Sequence, residues 1–193
     1  MLTKQIGNVE VHFAPLIIVI VATLIAYLII ALLLTYRWGK VTKSFAFGNY
    51  DIVLIDGQKL LKKYQRYAKR YKYRDILSRI EDLHFVMAVA HFSKKNYEQF
   101  LYHINDLKQH DDIKEFWVSL YYLRQDDFDN FQVHYANIKV SEETLINRTF
   151  LESVRLYTQG ECDLAGTKML ELYKDLKQPI LKQIADEVLK FQN

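Results

Sequence analysis

Six histidines, one cysteine and a cluster of aspartates are the side chains in this 193-residue sequence that could hold a metal or attack a substrate. His84 and His91 lie seven residues apart, as do His103 and His110. On a helix that is two turns, about 10 Å of rise, too far for one ion to use both without a third element. The chain has no HExxH, no cysteine pair and no zinc-type spacing, so hydrogen-bonded structural histidines are the simpler reading. Asp126, Asp127 and Asp129 suggest an acidic loop, but the glycine and distal glutamate of a calcium loop are missing. Cys162 stands alone, which excludes an intrachain disulfide or thiolate cluster, and its position predicts a packed thiol rather than a nucleophile. No GxGxxG, GxxxxGK[ST] or GxSxG occurs. The expectation is a noncatalytic protein with no cofactor and no metal.

The remaining chemistry is electrostatic. The stretch QKLLKKYQRYAKRYKYR, Gln58 to Arg74, holds eight lysines and arginines, four tyrosines and no acid. Residues 37–80 carry twelve cations against three acids, whereas residues 81–193 carry thirteen against nineteen, so the basic block is local. At 100° per residue, Leu60, Leu61, Tyr64, Tyr67, Ala68 and Tyr71 share one arc, and Lys59, Lys62, Lys63, Arg66, Lys69, Arg70 and Lys72 fill the rest. A stacking platform for single-stranded nucleic acid needs aromatics and cations on one exposed surface, and this segregation argues against it. The tyrosine arc predicts a packing face. The cationic arc is either an ordinary solvated surface or a face for anionic headgroups, where each cation contributes about 1 kcal/mol. A solvated helix normally mixes signs, so the membrane-facing reading of Lys59, Lys62, Lys63, Arg66, Lys69 and Arg70 is favoured.

The membrane enters through Leu16–Leu34, LIIVIVATLIAYLIIALLL, nineteen uncharged residues of which fourteen are Leu, Ile or Val. Such a run nearly spans about 30 Å of hydrocarbon, and Phe13, Tyr36 and Trp38 supply interfacial aromatics. A cleaved signal peptide would have an apolar core of only about 7–15 residues and a small-residue cleavage site, and no such site follows Leu34. Arg37, Lys40 and Lys43 follow the run and only Lys4 precedes it. The positive side stays inside, which predicts a single-pass cell-membrane protein with its N-terminus outside and residues 37–193 cytoplasmic.

Four short stretches in the remainder share a form: GNYDIV from Gly48, KNYEQF from Lys95, DDFDNF from Asp126 and GECDLA from Gly160. Each pairs turn-favouring residues with an apolar or aromatic key residue, then an acid, then an apolar residue. The keys Tyr50, Tyr97, Phe128 and Cys162 are spaced 47, 31 and 34 apart, and the small residues Ala88, Ser119 and Ser153 lie nine before the last three. These features resemble the tetratricopeptide repeat family in degenerate form over roughly residues 40–176. The resemblance implies antiparallel helix pairs, with small residues where the two helices of a pair meet and a domain that binds another protein. The small alanine three places after the key is kept only at Ala165; Val53, Phe100 and Phe131 stand elsewhere.

Helical spacing supports this organisation at Ile76, Ile80, Leu83, Met87 and Ala90, at Tyr97, Phe100, Ile104 and Leu107, and at Phe128, Phe131, Tyr135 and Ile138. Helices are predicted over 40–47, 49–73, 75–94, 96–109, 112–125, 127–138, 142–159 and 161–176, with a capping helix from Pro179 to Phe191. Asp111 or Asp112, and Ser141 ahead of Glu142 and Glu143, read as helix starts. The expected fold is all-α: an extracytoplasmic tail over 1–14, a transmembrane helix over 15–36, a basic juxtamembrane segment and first helix pair over 37–80, and tetratricopeptide-like repeats with a C-terminal cap over 81–193. The expected function is a membrane-anchored adaptor or scaffold for a protein partner. The alternatives are a membrane-tethered nucleic-acid binder and a noncatalytic subunit of a larger membrane complex.

Overall fold

The computed structural model describes residues 3–6, 9–70, 74–108 and 111–190, with side-chain surroundings from residue 17 onward. Tyr71 and Lys72, His110, and the predicted ends of three helices, at 71–73, 109 and 191, lie outside the described residues. The chain divides into two compact units, Met1–Lys40 and Val41–Asn193.

In the first unit, β1 (Thr3–Ile6) and β2 (Val9–His12) form an antiparallel hairpin in which Lys4 pairs with Val11 and Gln5 with Glu10. Within the segment read as an extracytoplasmic tail over 1–14, residues 3–6 and 9–12 therefore form a two-stranded ribbon. Helix α1 follows without a break over Phe13–Ala46. It absorbs both the apolar run and the short helix predicted separately at 40–47, because no proline lies between Pro15 and Ala46 and the lone Gly39 does not stop it. Its stretch Ile17–Ala46 is 30 residues long, with mean hydropathy of 3.2 in its most apolar window and none of that window buried by protein. The chain thus has an N-terminal helix long and apolar enough to cross a bilayer.

The second unit is a set of packed helices: α2 (Tyr50–Arg70), α3 (Arg74–Ser93), α4 (Tyr97–Asn105), α5 (Asp111–Leu123), α6 (Phe128–Asn137), α7 (Glu142–Thr158), α8 (Cys162–Leu172) and α9 (Pro179–Leu189). A turn of 3-10 helix, Tyr173–Asp175, follows α8. Consecutive helices form hairpins, α3 on α4, α5 on α6 and α7 on α8, while α2 packs on α3 and α5 on α7. Helices α4, α6 and α7 start at side-chain caps. Asn96 accepts from Gln99 N–H and Asp127 from Asn130 N–H. Ser141 and Thr144 cap each other reciprocally at α7, and Pro179 occupies the first turn of α9, where its missing N–H is not needed.

The four related stretches are one turn built four times. Gly48, Lys95, Asp126 and Gly160, the first residue of each, have φ of +72°, +57°, +56° and +85°. The next residue donates its N–H five positions back in every case: Asn49 to Ser44 O (2.8 Å), Asn96 to His91 O (2.9 Å), Asp127 to Tyr122 O (3.0 Å) and Glu161 to Leu156 O (2.9 Å). This is the Schellman closure of a helix end, and the residue after it, Tyr50, Tyr97, Phe128 or Cys162, opens the following helix. The core between the hairpins is aromatic. Trp117, 1% exposed, meets Phe92 with ring centres 5.4 Å apart, Phe116 at 5.5 Å and Phe85 at 6.5 Å, all edge-on.

Candidate interaction surfaces

Helix α2 presents the two faces that its sequence segregates. Leu60, Leu61 and Tyr64 are buried, and Tyr67 and Ala68 are half-buried. Gly57 lets α3 approach: a Cβ there would stand 3.3 Å from Met87 Cγ. On the other side Lys59, Lys62, Lys63, Arg66, Lys69 and Arg70 are all exposed. The ion pairs that His84, Lys94, Arg124, His134 and Lys168 make involve none of these six. Lys62, Arg66 and Lys69 line one shallow groove of about 660 Å³ together with Gln65, Ala68 and Ile80 of α3. Arg66 and Lys69 also border a second hollow with Tyr67 and Arg70.

The small residues Ala88, Ser119 and Ser153 each have no exposed surface, as does Ala165. Of the four turn residues, Tyr50 is buried, whereas Tyr97, Phe128 and Cys162 are half-buried. Cys162 is thus less enclosed than its place in the pattern predicts. Ser153 Oγ donates to Thr149 O (2.9 Å), but Ser119 Oγ is buried without a partner.

Helix α9 does more than cover the last hairpin. Besides touching α8 and α7, it reaches the first turn: a Cβ on Gly48 would lie 3.3 Å from Pro179 Cβ. It also reaches the α3–α4 and α5–α6 hairpins. Ile180, Ile184 and Glu187 share a hollow of about 210 Å³ with Phe92, Tyr97 and Arg124. Its apolar side, Ile180, Leu181, Ile184, Ala185 and Val188, is buried. Arg124 and Glu187 are 63 residues apart, so no local signal in the sequence could have joined them.

The histidines come together across the α3–α4 hairpin rather than along one helix. His84 Nδ1 and His103 Nδ1 are 3.0 Å apart, and both side chains are buried. One ring must hold its proton on Nδ1 and the other must present that atom bare. Asp106 Oδ2, 3.4 Å from His84 Nδ1, favours the proton on His84. His91 stacks on His103 with ring centres 5.4 Å apart. Burial lowers the pKa of all three; for His103, burial and then its two histidine neighbours bring it to about 4. These are neutral packing groups at pH 7. Among the described residues no three His, Cys, Asp or Glu side chains are grouped to hold a metal ion.

No protein-family model matches the chain, and no curated protein or solved structure shows significant similarity to it.

Proposed function

We propose that this is a noncatalytic, single-pass membrane protein whose cytoplasmic tetratricopeptide-like domain binds another protein beside the bilayer, with the basic face of α2 turned to anionic headgroups. The observation that carries the reading is the joining of one bare apolar helix of membrane length to a helical unit built on four identical turns. Hairpins stacked in this way make extended protein-binding surfaces. Anchoring such a domain raises its effective concentration toward membrane partners into the millimolar range for short tethers. Burial of Tyr64 beneath the cations, with Tyr67 half-covered, favours this over nucleic-acid binding, which requires exposed rings beside the charges.

The test uses the single cysteine. In intact cells a membrane-impermeant thiol reagent is expected to leave Cys162 unlabelled, even after mild denaturant, and to label it after lysis and unfolding. Crosslinking in the same cells is expected to trap the full chain in a discrete protein adduct that is lost when Trp117→Ala unfolds the domain. Labelling from outside would reverse the orientation, and an adduct indifferent to unfolding would remove the domain from the interaction.

A further inference from the structure

The cations of α2 are arranged more narrowly than a general positive surface requires. Lys62, Arg66 and Lys69 follow at i, i+4 and i+7, the spacing that stacks side chains along one helix face, and all three line the same groove against α3. Like charges at such spacing repel one another, and among the described residues of the groove no acid relieves them: beside the three cations it is lined by Gln65, Ala68 and Ile80. The negative end of the helix dipole accounts for Lys69 and Arg70 in the last turn. It does not account for Lys62, two turns earlier, beyond the reach of that effect. Three unpaired cations over a partly apolar floor match a ligand with concentrated negative charge joined to an apolar body.

We infer that the Lys62–Arg66–Lys69 groove seats the phosphomonoester headgroup of an anionic phospholipid. This rests on the proposed cytoplasmic, membrane-facing orientation of α2. A phosphomonoester carries about −1.5 to −2 charges at pH 7 and three strong acceptor oxygens. The Arg66 guanidinium can meet two of those oxygens with parallel N–H donors, while Lys62 and Lys69 act as flanking point charges. A phosphodiester headgroup has only one negative charge on its phosphate and so balances fewer of the three cations. Ala68 and Ile80, both half-buried, give the glycerol end an apolar contact. A lipid is favoured over a soluble phosphate because Lys62 follows the apolar run, which ends at Leu34, by only 28 residues. That keeps the groove near a surface where headgroups are concentrated.

The experiment places the full chain in nanodiscs of phosphatidylcholine containing either phosphatidic acid or phosphatidylserine, at matched surface charge. The readout is acylation of Lys62 and Lys69 by an amine reagent, quantified by mass spectrometry against the exposed Lys174. Phosphatidic acid is expected to protect Lys62 and Lys69 at a lower lipid fraction than phosphatidylserine does. Arg66→Gln should raise the required fraction roughly fivefold, the effect of one surface cation, while Lys59→Gln shifts both lipids alike and circular dichroism stays unchanged. Equal protection by both lipids would overturn the phosphomonoester site yet leave a membrane-facing basic surface standing. Protection by neither would overturn both. Equal protection by inorganic phosphate in neutral discs would overturn the assignment to lipid.

Discussion

Arg124 Nη2 lies 2.6 Å from Glu187 Oε2, tying the end of α5 to the last helix of the chain. Both side chains are partly exposed, so the pair contributes only about 0.2–1 kcal/mol. The apolar side of α9 carries the attachment, with Ile184 just 2% exposed. Ile184→Ala is therefore expected to cost about 2–5 kcal/mol, and Glu187→Gln less than about 1 kcal/mol. Chemical denaturation of the two variants, with hydrogen exchange along 179–189, checks this. A larger loss from Glu187→Gln would mean that charge holds α9 in place.

The four Schellman turns make a graded prediction. Gly160 has φ +85° and open space around its missing Cβ, so Gly160→Ala meets backbone strain alone, about 1 kcal/mol. Gly48→Ala adds the 3.3 Å approach to Pro179 and should cost more. Lys95 holds φ +57° with a side chain, and Lys95→Gly is expected to be neutral or stabilising by up to about 1 kcal/mol. Thermal denaturation should rank them in that order.

These turns also show what the sequence made legible. A glycine or polar residue, a capping residue, an aromatic or apolar residue and an acid together specify a helix end and the next helix start, and every helix predicted from residue 49 onward has a counterpart within a few residues. The separate helix at 40–47 merged with the apolar run because nothing in the sequence interrupts it. Long-range placement was not legible. His84 and His91 read as a pair on one helix, yet the hydrogen bond joins His84 to His103, because the register of α3 against α4 depends on packing around buried residues such as Met87, Phe100 and Ile104. The reach of α9 from Gly48 to Arg124 is likewise a matter of how hairpins stack, which no local spacing encodes.

Ser119 separates size from polarity in the core. It has no exposed surface and its hydroxyl has no partner. Ser119→Ala removes an unsatisfied buried group and is expected to stabilise the fold by about 1 kcal/mol. Ser119→Leu and Ala88→Leu instead force extra methylenes between packed helices and should cost about 1–3 kcal/mol. Enlarging the exposed Gln132 should cost little. Equal effects at all four would mean that these positions are not close helix contacts.

Acid should weaken the fold through the histidines. The pKa of His103 is lowered to about 4 in the folded chain, so between that value and its ordinary 6.5 the unfolded chain binds the proton and the folded chain does not. Stability is therefore full above about pH 6.5 and falls as pH drops toward 4. His103 alone accounts for a loss of about 2 kcal/mol between pH 7 and pH 5. His84 and His91 are lowered in the same direction by burial, with Asp106 and Glu81 partly offsetting the shift at His84. Geometry adds to this: protonating whichever ring accepts in the His84–His103 bond sets two N–H donors face to face across 3.0 Å. Urea midpoints between pH 7 and pH 5 should fall for the native chain and fall less for His103→Phe, whatever that substitution does to stability at pH 7. A native-chain midpoint that does not move over this range would show that the cluster accepts protons without cost and is not held neutral by burial.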